Sequence, residues 1–447
     1  MDGSTRREIE APTVPGRISA TFSRFSESEN AGALIMLAAT VLALILANAG
    51  LAVTLEHLWH TELGVSLGEF TFAQSLKHWI DDALMAIFFF VVGLEIKREV
   101  LVGELSSLRE AALPVLAALG GMLVPAVVYA AFNASGPGSA GWGIPMATDI
   151  AFAIAVVTLL GSRVPTSLKV FLTALAIADD IGAIFVIAAF YSGGVSLVWL
   201  AAALAPAVAM WVLGRLKVDA LLPYAILAAL LWFALLNSGV HATIAGVIAA
   251  LLIPTRARVE PLVFARFARV KVHQIEATDQ PGTHVLADDE QQRLAFELSE
   301  AATRTASPLQ RAEHALLPLV NFVVLPLFAL ANAAVVVVGG GLTFGSVGLG
   351  VFLGLVVGKP LGVIVATWLG VRLGGLSLPG TMRWHDVVGA GVLAGIGFTM
   401  SIFVANLAFG DSALAPTLAE AKLAILAASV VAGTAGYLYL RRYSTVR

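Results

Sequence analysis

The chain has 447 residues, of which 58% are hydrophobic and only 13% are charged, and its mean hydropathy is +0.88. A soluble protein of this length carries about twice that fraction of charge, so the composition predicts an all-α membrane protein that crosses the bilayer many times. The chain contains no cysteine, which excludes disulfides and thiolate-bound metal or iron–sulfur centres. The net charge of −3 indicates no class of soluble partner, and we expect no nucleic-acid partner.

Twelve apolar runs predict transmembrane helices, because about 20 such residues cross a ~30 Å hydrocarbon core. We number them spans 1 to 12, at residues 31–50, 77–100, 112–132, 143–160, 168–191, 196–214, 220–236, 240–254, 314–334, 346–369, 385–408 and 416–440. Spans 7 and 8 are separated only by a turn, LNSGV, which leaves a count of eleven open. Twelve is favoured because it places nearly all of the 27 Lys and Arg residues on one side.

The side rich in Lys and Arg is expected to be cytoplasmic, so the count of twelve predicts that both termini lie in the cytoplasm. Residues 1–27 then form a cytoplasmic N-terminal segment, residues 28–440 a single membrane domain, and residues 441–447 a cytoplasmic tail.

Two connections between the spans are long. Residues 51–75 are external and contain GVSLGEFTF, whose alternation predicts a small β-hairpin, with a loose polar loop as an equal alternative. Residues 255–312 are cytoplasmic and mixed in charge, and they predict a flexible insert with a short amphipathic helix near residues 291–302.

A few charged residues fall inside the spans, namely Asp149, Asp179, Asp180 and Lys359, with Asp82 one turn into span 2. Each opposes insertion by about 2.5–3.5 kcal/mol at the bilayer centre. A structural ion pair would explain one aspartate and the lysine but would leave two carboxylates unexplained. We therefore interpret these residues as part of an ion path, which is the usual role of ionisable groups in a membrane.

The stretch ALAIADDIGAIFVIAAF places two carboxylates side by side in an apolar helix. Neighbouring residues on a helix point about 100° apart, so Asp179 and Asp180 face different surroundings. Lys359, near the middle of span 10, lies at a depth where it could pair with one of them. Carboxylate oxygens that can be protonated or can bind a hard cation predict exchange of H⁺ for Na⁺ or Li⁺.

Gly and Pro residues interrupt two of the spans. Span 4 reads GWGIPMATDIAFAIAV, in which Pro145 precedes Thr148 and Asp149, and span 11 reads GVLAGIGFTMSIF. Such residues permit an unwound stretch where it lines a cavity or packs on protein. Glycine is also a common packing residue in membrane helices, so span 11 alone is weak support. Asp149 can offset the positive N-terminus of the helix after the break.

Four strings, ALAIADDIGAI, PMATDIAFAI, VVGKPLG and AGIGFTMSIF, resemble the NhaA family of bacterial Na⁺/H⁺ antiporters, and the resemblance covers about residues 28–440. It implies that Asp179 and Asp180 bind Na⁺, that Lys359 pairs with the first aspartate, and that Thr148 and Asp149 support the site. It also implies an inverted repeat of spans 3–5 and 10–12, in which the interrupted spans 4 and 11 cross at mid-membrane.

The same resemblance links further residues to the cytoplasmic funnel and the pH response, namely Asp82, Glu95, Lys97, Glu99, His241, Glu313 and His314. These residues also have simpler structural interpretations. They are solvated residues at a helix end, charges next to the membrane and, for His241, a hydrogen-bonded packing residue. The chain departs from the family in its longer loop before span 9. It also has Leu317 where the family pattern has a second histidine, so the pH response is expected to differ from that of the family.

The resemblance implies an electrogenic, pH-regulated antiporter that exports Na⁺ or Li⁺ for more than one H⁺, without a cofactor and without enzyme activity. It further implies that residues 28–440 are a transporter domain of the bacterial inner membrane, and that two chains form a homodimer through the 51–75 hairpin. An intramembrane aspartyl protease also needs two membrane aspartates, but the chain has no GxGD motif and a protease has no use for Lys359. A Na⁺-coupled symporter is excluded only by the resemblance.

Overall fold

The computed structural model of the protein describes residues 31–68, 70–278, 289–336 and 344–444, and these residues are mostly helical. Within this part of the chain, eight helices are long and apolar enough to cross a membrane, and one bent pair of helices makes a ninth. The prediction of a multi-pass helical membrane protein is confirmed. The predicted N-terminal segment lies outside the described residues.

The helices up to the aspartate pair are joined by short 3₁₀ and π-helical segments. They are α1 (Ala31–Leu46), α2 (Ala52–Trp59), α3 (Leu76–His78), α4 (Met85–Val102), α5 (Leu108–Asn133), the 3₁₀ segment Pro137–Met146, α6 (Ile150–Leu159) and α7 (Thr166–Phe190). The π-helical segments Ala47–Leu51 and Trp79–Leu84 make α1–α2 and α3–α4 nearly continuous.

The later helices follow the same pattern. They are α8 (Leu197–Arg215), α9 (Leu221–Leu236), α10 (Ile244–Leu252), α11 (Pro261–Thr278), α12 (Asp289–Thr303), α13 (Pro308–Leu319), α14 (Leu325–Asn332), α15 (Ser346–Leu353), α16 (Lys359–Arg372), α17 (Trp384–Ala394), α18 (Phe398–Ala408) and α19 (Ala415–Tyr443). The π-helical segment Gly354–Gly358 joins α15 to α16.

A β-hairpin lies between α2 and α3. Its strands, β1 (Glu62–Leu67) and β2 (Phe70–Ser75), pair antiparallel from Glu62 opposite Ser75 to Leu67 opposite Phe70. The indole of Trp79 donates to the carbonyl of Leu63 at 2.9 Å, which ties the hairpin to the following helix. The hairpin prediction for residues 51–75 is confirmed, and the loose-loop alternative is wrong.

The described residues fall into two compact units. Unit 1 comprises the described residues within Met1–Phe88, Arg98–Ser192 and Pro318–Arg447, and unit 2 those within Phe89–Lys97 and Gly193–Leu317. In unit 1, α5 packs against α7, α15 and α16. The contact between α5 and α16 is a close backbone approach, because a Cβ atom at Gly120 would collide with the carbonyl of Gly362, and the reverse also holds.

Unit 2 contains α8, α9 and α10, which pack around buried side chains that include Met210, Tyr224 and Leu231. It also contains the 255–312 insert. The amphipathic helix predicted near residues 291–302 is present as α12, but the prediction that the rest is flexible is wrong where α11 forms. The missed signal is a stripe at helical spacing, namely Phe264, Phe267, Ala268, Lys271 and Ile275, which gives α11 a side to pack on α12.

Candidate functional site

The two adjacent aspartates lie in the middle of α7 in unit 1. Asp179 is 1% exposed and Asp180 is 2% exposed, and Lys359, the first residue of α16, is fully buried. The ammonium of Lys359 donates to Asp179 Oδ2 at 2.6 Å. The structure therefore brings a lysine and a carboxylate from distant parts of the chain into one buried ion pair.

Lys359 has a second acceptor, the carbonyl of Met146. This carbonyl is available because Met146 ends the 3₁₀ segment and residues 147–149 are not helical. A buried ammonium is costly unless oxygen atoms replace its water shell. The apolar stem of Lys359 packs beside α5, since a Cβ atom at Gly121 would be in ordinary van der Waals contact with Lys359 Cε, at 3.7 Å. The interruption of the helix after Met146 thus supplies a second oxygen acceptor for the buried ammonium.

Asp149 holds together two helix beginnings. Its Oδ1 accepts from the backbone of Phe152 at 3.2 Å and caps α6, while its Oδ2 accepts from the backbone of Thr399 at 3.1 Å and from the Thr399 hydroxyl. Its own backbone N–H donates to the carbonyl of Ile396 at 2.7 Å. One buried carboxylate therefore satisfies N–H groups at the starts of α6 and α18, where helix dipoles favour negative charge.

The second break separates α17 from α18, which are bent by 43° at residues 395–397. Each break satisfies backbone carbonyls of the other. The Thr148 hydroxyl donates to Ala394 O at 3.0 Å, and the Ser401 hydroxyl donates to Ile144 O at 2.8 Å. Non-helical backbone inside a membrane protein is tolerated where its polar groups find such partners. The two breaks therefore form one connected polar structure beside the aspartates.

The charges in this site do not cancel. Asp179, Asp180 and Asp149 are all buried with Lys359, which gives three carboxyl groups to one ammonium. The surplus of carboxylates suits a site that holds either protons or a small cation. In the described part of the chain, no three His, Asp or Glu side chains converge as metal ligands. A cation at the aspartates would therefore draw further oxygens from backbone, hydroxyls or water.

The predicted funnel residues of unit 1 have local partners. Asp82 Oδ2 lies 3.1 Å from His78 Nε2, one turn earlier on the same helical segment. Glu99 Oε2 accepts from the backbone of Glu104 at 3.1 Å, and its other oxygen lies 3.5 Å from an Arg98 nitrogen. These contacts fit helix-end roles, and the roles in pH response stay predictions.

The remaining predicted residues lie in unit 2. Lys97 donates to the carbonyls of Leu251 and Ile253, at 2.6 and 2.5 Å, at the end of α10, and it lines a cavity of about 650 Å³. A ring nitrogen of His241 lies 2.9 Å from the Thr243 hydroxyl. The other three differ in burial, in that Glu95 is half-buried, Glu313 is buried and His314 is exposed.

Unit 1 contains a second set of hydrogen-bonded polar side chains, which is not among the residues predicted from the sequence. Asn332 donates to Asp81 at 2.6 Å, and Asn406 donates to Asn332 at 2.7 Å. Lys422 is also buried and interacts electrostatically with Asp81. Lys422 carried a signal that could have identified it, because it stands seven residues into an apolar helix. The hydroxyls of Thr399 and Ser401 carried none, because such residues are common in membrane helices.

Comparisons with known proteins identify the family to which this chain is similar. The sequence profile of the family Na⁺/H⁺ antiporter 1 matches residues 23–440. The chain is 48% identical over 433 residues to the Na⁺/H⁺ antiporter NhaA of Oleidesulfovibrio alaskensis, covering 96% of each chain. It is 46% identical to the proteins of the same name from Helicobacter pylori (strain G27; 95% of each chain) and Acidithiobacillus ferrooxidans (95% of this chain and 97% of the relative).

Proposed function

This chain belongs to the Na⁺/H⁺ antiporter 1 family, and we propose that Asp179 and Asp180 are the residues at which it exchanges Na⁺ for H⁺. It is a multi-pass membrane transporter and not an enzyme. The observation that carries the assignment is the buried Lys359–Asp179 pair directly beside a second buried carboxylate. No structural requirement explains the cost of burying that second acid.

Competition for the carboxylates drives the exchange. On the cytoplasmic side Na⁺ or Li⁺ displaces protons from Asp180 and Asp179, and on the external side protons displace the cation. Thr148 and Asp149 support this site by linking the two helix interruptions. Thr148 donates a hydrogen bond to Ala394, and Asp149 accepts one from Thr399. The antiporter carries its cargo without a cofactor, since carboxylates bind a proton directly and bind a cation together with neighbouring oxygens.

Lys359 takes part in the proton path. When Na⁺ binds the carboxylates it weakens their attraction for the lysine, which is then buried and unpaired. An unpaired ammonium in an apolar interior is costly, so Lys359 releases its proton. More than one H⁺ then moves per Na⁺, and the cycle is electrogenic. In the alternative, Lys359 is only the structural counter-ion of Asp179.

The scaffold is an inverted repeat within twelve spans. One half comprises spans 3–5, built from α5, α6 with its preceding 3₁₀ segment, and α7, and the other comprises spans 10–12, built from α15 to α19. The interrupted spans 4 and 11 cross near mid-membrane. Support comes from the reciprocal hydrogen bonds between the two breaks. Residues 28–440 form one transport domain in the bacterial inner membrane, with both termini cytoplasmic.

The hairpin of β1 and β2 joins two protomers into a homodimer. The ion-binding residues Asp149, Asp179, Asp180 and Lys359 all lie elsewhere in the chain, which implies that dimerisation is separable from exchange. Deletion of residues 53–71 should give monomers that still exchange ions, measured by sedimentation in detergent and by transport in vesicles. Complete loss of transport by a folded, membrane-inserted deletion would refute this assignment.

The direct test of the proposed site uses everted membrane vesicles that hold a proton gradient reported by a quenched dye. Addition of Na⁺ or Li⁺ should dequench the dye when the chain is present, and Asp180→Asn should abolish the response at equal membrane content. Repeating the titration between pH 6 and 9 tests regulation by Asp82, Glu95, Lys97, Glu99, His241, Glu313 and His314. Conservative substitutions of these residues should move the pH profile and leave the maximal exchange intact.

A further inference from the structure

Helix α11 of the insert exposes apolar side chains that its packing on α12 leaves uncovered. Leu262, Val263 and Val270 are 74%, 55% and 58% exposed. Val263 and Val270 are seven residues apart, so they lie two turns apart on one face of the helix. A helix that met only water would place polar residues on this face. The face therefore indicates a contact with something apolar.

Positive charges lie on the same outer half of α11. Arg266 is placed between Val263 and Val270, and Arg269 follows one turn later. Among the described residues, neither arginine has an acidic group within ion-pair distance. Lys271, by contrast, points to α12 and pairs with Glu297 at 2.6 Å. The outer face thus combines exposed apolar groups with two arginines that have no protein counter-ion in the described part.

The two helices of the insert differ in charge. α11 has Glu276 as its single acidic residue, against two arginines and a lysine. α12 carries four acidic residues, Asp289, Glu290, Glu297 and Glu300, against one arginine. A cationic, apolar helix matches a surface of anionic headgroups above acyl chains, whereas an acidic helix is repelled by it. The charge pattern therefore selects α11 as the contacting helix.

The root of the insert lies at a membrane boundary. The backbone of Arg258 donates to Arg304 O at 3.2 Å, which closes the insert on itself, and the Arg258 side chain lies 3.4 Å from Asp219. Asp219 is in the short turn between α8, which is apolar and long enough to cross a membrane, and the apolar α9. α11 begins three residues after Arg258, so it starts next to the headgroups.

We propose that α11 lies on the lipid surface of the membrane in which the protein is embedded. Leu262, Val263 and Val270 enter the headgroup–acyl boundary, and Arg266 and Arg269 contact anionic lipid phosphates. Because the root tethers α11 at the surface, a weak intrinsic affinity is sufficient to hold it there. Each arginine contributes about fivefold to the ratio of surface-bound to free α11, and the two together about thirtyfold.

The absence of cysteine allows the contact to be mapped with single labels on the full chain. V270C on α11 and F296C on α12 each receive an environment-sensitive fluorophore, and the protein is reconstituted in phosphatidylcholine vesicles with and without phosphatidylglycerol. Phe296 is the matched control because it is 75% exposed. With phosphatidylglycerol, the label at 270 should be shielded from acrylamide and quenched by brominated lipid chains, while the label at 296 stays open to acrylamide.

R266Q/R269Q in the V270C background should lower the bound-to-free ratio about thirtyfold in vesicles with phosphatidylglycerol. Equal acrylamide quenching at 270 and 296 in those vesicles overturns the proposal, and this comparison does not depend on how the arginine variant folds. Shielding that persists in detergent and rises with protein concentration also overturns it, because it identifies a second copy of the chain as the occupant.

Discussion

Two lysine–carboxylate pairs in this protein have the same length and opposite surroundings. Lys359 and Asp179 meet at 2.6 Å and are 0% and 1% exposed, whereas Lys271 and Glu297 meet at 2.6 Å and are 17% and 37% exposed. Water solvates each partner of the outer pair when the other leaves. It cannot do so for the inner pair, so loss of one partner there leaves an uncompensated charge. Burial rather than contact distance gives the inner pair the capacity to respond to ion binding.

The largest effect should follow from removing a buried carboxylate. Asp180→Asn keeps size and polarity but removes the charge and the exchangeable proton, so Na⁺-dependent dequenching should disappear. Asp180→Glu should retain weak exchange at lower apparent affinity, because the charge survives and the oxygens move by about one methylene. Glu297→Gln is the matched change in the exposed pair and should leave exchange unchanged. Normal exchange by Asp180→Asn would remove this residue from the site.

Breaking the buried pair should destabilise the protein more than breaking the exposed pair. Lys359→Met leaves Asp179 buried without its counter-ion and should lower the free energy of unfolding by about 3–5 kcal/mol. Lys271→Met should change it little, because Glu297 becomes solvated. Thermal unfolding of the purified proteins in detergent measures both changes. Equal shifts in the two variants would contradict the importance of burial.

A smaller and more specific effect is expected from Lys359→Arg. Arginine keeps the positive charge beside Asp179 but does not deprotonate at working pH. If Lys359 carries a transported proton, the variant should move one fewer H⁺ per Na⁺ and respond weakly to membrane potential. Lys271→Arg is the control and should retain the parent ratio. Na⁺-driven charge movement in proteoliposomes decides between the mechanisms, and an unchanged ratio would make Lys359 purely structural.

The smallest effect should be a pH dependence of the exposed pair. The hydrogen bond from Lys271 holds the pKa of Glu297 below its usual value, despite slight desolvation. A lowered carboxyl pKa means that the pair stabilises the α11–α12 contact at neutral pH and stops doing so as the pH falls through that lowered pKa. Amide hydrogen exchange in α11 and α12 should therefore rise in acid. Lys271→Met should largely abolish that acid-dependent rise, because the pKa of Glu297 is then nearly the same in the folded and unfolded states.

Prediction from the sequence was most successful where a local pattern has one physical solution. The apolar runs are the clearest case, because they predicted a multi-pass helical protein. The alternation in GVSLGEFTF left a hairpin and a loose loop as equal alternatives, and only the folded structure decided for the hairpin of β1 and β2. Prediction from the sequence failed for α11. The residues of α11 that face α12 include a lysine, and their mixed charge predicted a flexible segment and not a helix. Charge counts alone do not show that Lys271 lies against a partner helix.

The candidate site likewise has residues that the sequence predicts and contacts that only the folded chain shows. Composition and the cost of intramembrane charge singled out Asp149, Asp179, Asp180 and Lys359 from the chain alone, because insertion energy depends on residue type and depth. The contacts of Lys359 with Met146, and of Asp149 with Thr399, required the folded chain. They join residues more than 200 positions apart through backbone groups and hydroxyls, which carry no charge and give no signal in a hydropathy pattern. Only packing decides which of many such groups face a buried ion.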